Sequence, residues 1–105
     1  MSRLTLVEQN SQQAKLLGDL TLNSVPQVVE LGQQLIKQAQ HQWVLDMTAV
    51  EQVSSVGVAL LLQWLRQCRQ QQVQFVIVGL PQAMRPILRI SDLEPIFLPL
   101  LRPSH

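Results

Sequence analysis

Few side chains in this sequence could do chemistry, and no pattern makes them converge. Ser54 and Ser55 offer adjacent hydroxyls, Cys68 a thiol, Asp46 a carboxylate after an apolar run, and His41 and His105 the two imidazoles of the chain. Nucleophilic catalysis needs a base within hydrogen-bond reach of the nucleophile. His41 sits in a polar loop ahead of the central strand and His105 is the last residue, so neither is paired with Ser54, Ser55 or Cys68. Asp46 stands at a strand end, where many α/β enzymes keep a catalytic group, but without a base partner it reads as a turn or cap acceptor. One cysteine and two distant histidines cannot supply a tetrahedral metal site. Gly57 is alone and Gly79 is followed by Leu80-Pro81, so no glycine loop cradles a phosphate. The expectation is a protein that is not an enzyme and uses no cofactor or metal.

The serines take their meaning from the elements around them. Trp43-Val44-Leu45 is an apolar, β-prone run that Asp46 ends, and a second apolar run with helical spacing begins at Val56. Ser54 and Ser55 between them are of the type that caps a helix by accepting a bond from a backbone N–H. On a helical wheel Val58, Leu61, Leu62, Trp64, Leu65 and Cys68 form one face, and Gln63, Arg66, Gln67 and Gln70 the other. Val56, Ala59 and Leu60 fall on or beside the polar side, so this helix is apolar all round where it begins. Apolar residues on an outward face call for a partner, either another loop of the chain or a second protein. Cys68, on the inward stripe, reads as a buried core thiol.

Elsewhere the chain alternates strands and helices. Leu4 to Val7 and Ala14 to Leu17 read as a hairpin joined by Glu8-Gln9-Asn10-Ser11, closed by Gly18-Asp19-Leu20. A helix follows to about Gln38, with Asn23 and Ser24 as caps and Pro26 in its first turn. Its apolar residues Val25, Val28, Val29, Leu31, Leu35 and Ile36 span roughly 160°, wider than a surface helix requires, which leaves Val29 at an edge as a second apolar contact. Gly32 inside it costs about 1 kcal/mol relative to Ala, which close packing against another element would offset. Val73 to Val78 is almost continuous in β-formers, as in a strand buried on both faces. A third helix is expected from Pro81 or Pro86 to Ser91-Asp92, then Leu93 to Leu98 as a closing segment and a fraying, proline-marked tail. The sum is one α/β domain over residues 1–105, a mixed sheet with helices packed mainly on one face.

With 47% hydrophobic and 14% charged residues the chain is globular, and a net charge of +1 with scattered arginines gives no nucleic-acid groove. Met1 to Thr5 carries no signal-peptide stretch and the longest apolar run, Val56 to Leu62, is too short to span a bilayer, so a cytoplasmic protein without direct membrane insertion is expected.

The order of strand, Asp46-Met47, then Val53-Ser54-Ser55-Val56-Gly57-Val58-Ala59-Leu60-Leu61 resembles the signature of STAS domains, the fold of anti-sigma factor antagonists and of cytoplasmic parts of some transporters. Matched on Gly57-Val58-Ala59, Ser54 stands where the family has Asp, Ser55 at its first hydroxyl residue, and Val56 at the hydroxyl phosphorylated in anti-sigma factor antagonists. Gly18 and Leu20 match the family's earlier Gly-x-Leu-Asp, but Thr21 replaces the Asp. The pattern Val-x-Ser/Thr-x-Gly-x-Ala-Leu-Leu looks more like the small STAS subunit of Mla phospholipid transport systems. That resemblance implies a non-catalytic subunit that binds, and stabilises or regulates, the ATPase of a phospholipid ABC transporter maintaining outer-membrane lipid asymmetry. It would reach the permease and the inner membrane only through that ATPase. The alternative it implies is an anti-sigma factor antagonist partnered by an anti-sigma factor kinase, with Ser55 as the candidate phosphorylation site; a third reading is a structural domain whose serines only cap a helix. The expected partner-binding residues are Val29, Ser54, Ser55, Val56, Ala59, Leu60 and Gln63.

Overall fold

The computed structural model describes residues 3–103, so Met1, Ser2 and His105 lie outside the described residues. Strands β1 (Leu4–Asn10), β2 (Gln13–Asp19), β3 (Gln42–Gln52), β4 (Gln74–Val78) and β5 (Leu101–Arg102) form one sheet in the order β1-β2-β3-β4-β5. The first pair is antiparallel and the other three are parallel. Helix α1 (Pro26–Gln38) connects β2 to β3, α2 (Ser55–Gln70) connects β3 to β4, and α3 (Met84–Ile90) with the single turn α4 (Glu94–Phe97) leads to β5. Because each parallel crossover moves one strand in the same direction, right-handed connections put all the helices on one face of the sheet.

Alternation in the strands follows from that arrangement. Trp43, Leu45 and Met47 of β3 and Phe75 and Ile77 of β4 are buried under the helices, whereas Val44 and Val78 point to the open face and are only half-buried. On α2 Val58, Leu61, Trp64, Leu65 and Cys68 of the expected face are buried, Leu62 is half-buried, and Gly57 and Leu60 are buried as well. Trp43 stacks on Phe75 with ring centroids 5.7 Å apart and meets Trp64 edge-on at 5.4 Å. Gly32 lies beneath the Trp64 indole: a Cβ built there would sit 2.3 Å from the ring, so only a glycine lets α1 and α2 approach this closely. Gly79, just past β4, has φ +69° and would press a Cβ to 2.2 Å from Thr48 Cγ2.

Several local expectations are corrected. The hairpin turn is Ser11-Gln12 rather than residues 8–11, with Asn10 Oδ1 accepting from Gln12 N–H at 2.8 Å. Asp46 does not end a strand. It lies inside β3, where its Oδ1 accepts from Thr48 N–H at 2.9 Å and Thr48 Oγ1 at 2.6 Å, and the register to β2 slips there because β3 carries an extra residue. Neither Asn23 nor Ser24 caps α1; Ser24 lies inside a preceding turn, its buried Oγ accepting Thr21 N–H at 2.9 Å while Thr21 O accepts Ser24 N–H and Val25 N–H. Helix α3 starts at Met84, after Pro81 and before Pro86. The tail does not fray at once, since Leu101 and Arg102 pair with Ile77 and Val78 as β5.

Two predictions follow from this packing. Gly32→Ala gains about 1 kcal/mol of helix propensity but drives a methyl into an indole fixed between Trp43 and α1, an overpacking cost of about 1–3 kcal/mol; the expected net is a lower urea midpoint, and an unchanged or higher midpoint would show that the ring yields. Cys68 is fully buried, and desolvation pushes its thiol from 9.0 up to about 12. The folded chain therefore holds this proton more tightly than the unfolded chain, so its contribution is intact below about pH 9 and is lost as the pH rises toward about 12. A thiol reagent at pH 8 should label the native protein at least about a hundredfold more slowly than the urea-unfolded chain, and equal rates would mean the site opens freely.

Candidate functional site

Three loops meet at the end of the sheet where the parallel strands finish: β2 to α1, β3 to α2, and β4 to α3. Leu20 is their joint. Its N–H donates to Gln52 O at 2.8 Å, and its carbonyl accepts Ser54 Oγ at 3.1 Å, so both of its backbone groups are spent on the β3–α2 junction. Beneath them Gly57, in the first turn of α2, packs against Leu20 and Met84, and a Cβ there would come within 3.0 Å of Met84 Cε and 3.1 Å of Leu20 Cδ1.

Ser54 is therefore a brace. It is the N-cap residue of α2 by backbone position, with φ −148° and ψ 177°, but makes no side-chain cap bond. The expected capping by Ser54 and Ser55 is replaced by a hydroxyl donated across to Leu20, because Leu20 O would otherwise lack a partner in a half-buried loop. Ser55 is the first helical residue and its side chain is exposed, on the same stripe as exposed Ala59 and Gln63 one and two turns on. The start of α2 thus presents a free hydroxyl and a first turn that no side chain caps, which favours carbonyl or anionic acceptors.

Leu60 is corrected outright. It is 2% exposed and belongs to the core. The wheel put it beside the polar face, but α1 covers that flank of α2, as its neighbours one and two turns on show: Trp64 Nε1 donates to Val29 O at 3.4 Å and Gln67 Nε2 to Gln33 O at 2.8 Å. Val56 is half-buried and packs against the core, as does Val29, whose edge of α1 faces this seam instead of solvent. Of the seven expected contact residues, Ser55, Ala59 and Gln63 are on the surface, Val56, Val29 and Ser54 are half-buried, and Leu60 is inside.

One exposed apolar residue of the loop from β2 to α1 was missed. Leu22, in the turn tied down through Leu20, is 73% exposed. The sequence carried a signal for it, an isolated Leu between Thr21 and Asn23 outside both neighbouring periodic patterns. Among the described residues no three His, Cys, Asp or Glu side chains gather as a metal site, and no helix is long and apolar enough to cross a membrane.

Solved structures share the architecture. The chain is similar to the anti-sigma factor antagonist SpoIIAA in its unphosphorylated form, with a TM-score of 0.73 and 17% identity over 97% of this chain and 88% of that one. It is also similar to a sulfate transporter family protein from Wolinella succinogenes, at TM-score 0.71 and 12% identity over 96% and 82% of the two chains. An anti-sigma factor antagonist from Mycobacterium paratuberculosis gives 0.71 and 16% over 91% and 82%. No curated protein matches in sequence. A family model described as "Mlab, STAS domain" matches residues 6–102, nearly the whole of a chain with this sheet order and this braced start of α2, and the chain belongs to the STAS domain family.

Proposed function

We propose that this STAS domain is a non-catalytic docking subunit that binds and stabilises or regulates the cytoplasmic ATPase of an Mla-type phospholipid ABC transporter. It is held at the inner membrane through that ATPase and its permease, and so contributes to outer-membrane lipid asymmetry. The observation that carries the docking reading is the surface built from two braced loops. Exposed Leu22 and exposed Ser55 sit on segments joined by the two Leu20 bonds, so an apolar anchor and a hydroxyl are presented on a fixed frame. Pre-fixed loops lose little entropy on binding, and an exposed apolar side chain ringed by polar groups suits a protein contact. The description of the matching family model supports the Mla assignment.

Val56 supports constitutive docking over a switch. Where the family resemblance puts the phosphorylated hydroxyl, this chain has a methyl-bearing side chain packed on the core. The alternative, a phosphorylation-controlled anti-sigma factor antagonist, is favoured by one observation, the exposed hydroxyl of Ser55. Affinity purification of the tagged protein from its own cells separates the two: recovery of an ATPase with permease subunits supports the transporter reading, and a small kinase with Ser55 phosphate on intact-mass analysis overturns it.

The surface itself is tested by contrast. Leu22→Asp should keep the fold and weaken binding to the purified partner by about 2 kcal/mol or more, the loss of a hot-spot anchor. Leu60→Asp should instead unfold the domain, because an unpaired charge would replace a core side chain. Ser55→Ala should change stability by less than about 0.5 kcal/mol since no cap bond is lost, whereas Ser55→Glu should fold and bind at least about tenfold more weakly by setting a charge next to exposed Ala59 on the proposed contact surface. Equal affinities for wild type, Leu22→Asp and Ser55→Glu would remove this surface from consideration.

A further inference from the structure

At the other end of α2 the outer seam with α1 opens into a groove of about 330 Å³, at the small end of ligand-sized sites, which run from about 300 to 1,000 Å³. Only residues of polar type line it, showing apolar stems as well as polar ends: Lys37 and Gln33 from α1, Gln63, Arg66, Gln67 and Gln70 from α2, and Gln71 just beyond. No carboxylate lines it, and α2 contains no acidic residue at all. The one ion pair among the described residues is Arg89 with Glu94, so Lys37 and Arg66 face the groove without a counter-ion. Lys37 sits in the last turn of α1, where a cation offsets the helix dipole. Arg66 precedes the last turn of α2 and has no such reason to be there.

The amides are sorted in two sets. Gln67 Nε2 is used inward, on Gln33 O at 2.8 Å and Gln71 Oε1 at 3.0 Å, and Gln71 Nε2 reaches Ile36 O at 3.4 Å; these two line the groove with their donors engaged. Gln33, Gln63 and Gln70 make no side-chain hydrogen bond among the described residues, leaving free amide donors and acceptors. From Gln63 to Gln70 the helix advances about 10 Å, the length of three residues of extended chain at about 3.3 Å each. Amide side chains can pair with both N–H and C=O of such a backbone, while an arginine and a lysine pair with carboxylates.

We infer that this groove is a second docking site, adjoining the Ser55 stripe at Gln63, and that it takes an extended acidic segment of a partner protein, with Lys37 and Arg66 holding its carboxylates and Gln33, Gln63 and Gln70 its backbone. A single inorganic anion would satisfy the cations and leave those amides unused.

The test is a titration of the full ¹⁵N-labelled chain with blocked penta-glutamate, with blocked penta-glutamine and inorganic phosphate as comparisons. Penta-glutamate should shift the backbone amides around Gln33, Lys37, Gln63, Arg66 and Gln70, with an affinity that falls as salt is raised past about 0.15 M. The double variant Lys37→Glu with Arg66→Glu should lower that affinity at least tenfold while the chain still melts as a folded domain, a few degrees lower because a carboxylate opposes the α1 dipole. The milder Lys37→Gln with Arg66→Gln, also expected to weaken binding, serves if the reversal unfolds the chain. Shifts centred elsewhere, equal binding of penta-glutamine, no loss in the variants, or phosphate moving the same amides as strongly as the peptide would each overturn the inference. Failure here would leave the Ser55 surface untouched, because Leu22→Asp and Ser55→Glu report on that surface alone.

Discussion

Trp64 is the contact through which the layers of this domain are assembled. Its ring lies edge-on to Trp43 at 5.4 Å, Trp43 in turn stacks on Phe75, and its indole N–H reaches over α1 to Val29 O at 3.4 Å. One side chain thereby joins β3, β4, α1 and α2. The arrangement requires Gly32, because the helices come so close that a methyl on α1 would overlap the indole. Large aromatic side chains bury much apolar surface for few rotatable bonds, and three of the four aromatic residues of the chain stand in this one cluster. The position of α2 is set here, and with it everything that α2 presents at its two ends.

Close helix packing also explains the character of both ends. At the C-terminal half, side chains of α2 reach across the seam to backbone carbonyls of α1, at residues 33 and 36, which fixes the groove floor with polar groups in place of apolar ones. At the N-terminal end the helix rests on Leu20 and Met84 through Gly57, and the hydroxyl that might have capped it is used to pin the neighbouring loop. The exposed stripe through Ser55, Ala59, Gln63, Arg66 and Gln70 is what remains after α1 has covered one flank.

The parts of this fold that were legible from sequence are those governed by periodicity over many residues. The span of α1, the inward face of α2, the buried β4 and the need for close packing at Gly32 all rest on repeated spacing or on a residue type with one physical use. What failed depended on a neighbour. Leu60 looks outward on an isolated wheel and becomes core only because α1 widens the buried arc. Asp46 looks like a strand terminator because β3 absorbs an extra residue at that point, a bulge that leaves no trace in composition. β5 is two residues long and has no pattern to detect. At the candidate site, capping was expected of Ser54, but its hydroxyl is taken by Leu20, 34 residues earlier in the chain, a partner that local spacing cannot reveal.

The difference between Ser55 and Val56 bears on how such a surface can be controlled. A modification that switches binding must be added without unfolding the domain, so its acceptor has to be exposed and the neighbouring backbone already satisfied. Val56 has no hydroxyl to modify, and its half-buried side chain packs against the core. Ser55 meets the first fully and, at the amino end of a helix, sits in a favourable field for negative charge. Its hydroxyl is nevertheless followed one turn on by exposed Ala59, and the loop braced to this helix start carries exposed Leu22, both apolar. Charge at Ser55 would suit the isolated domain and oppose an apolar contact, so under the docking proposal an unmodified Ser55 is the binding form.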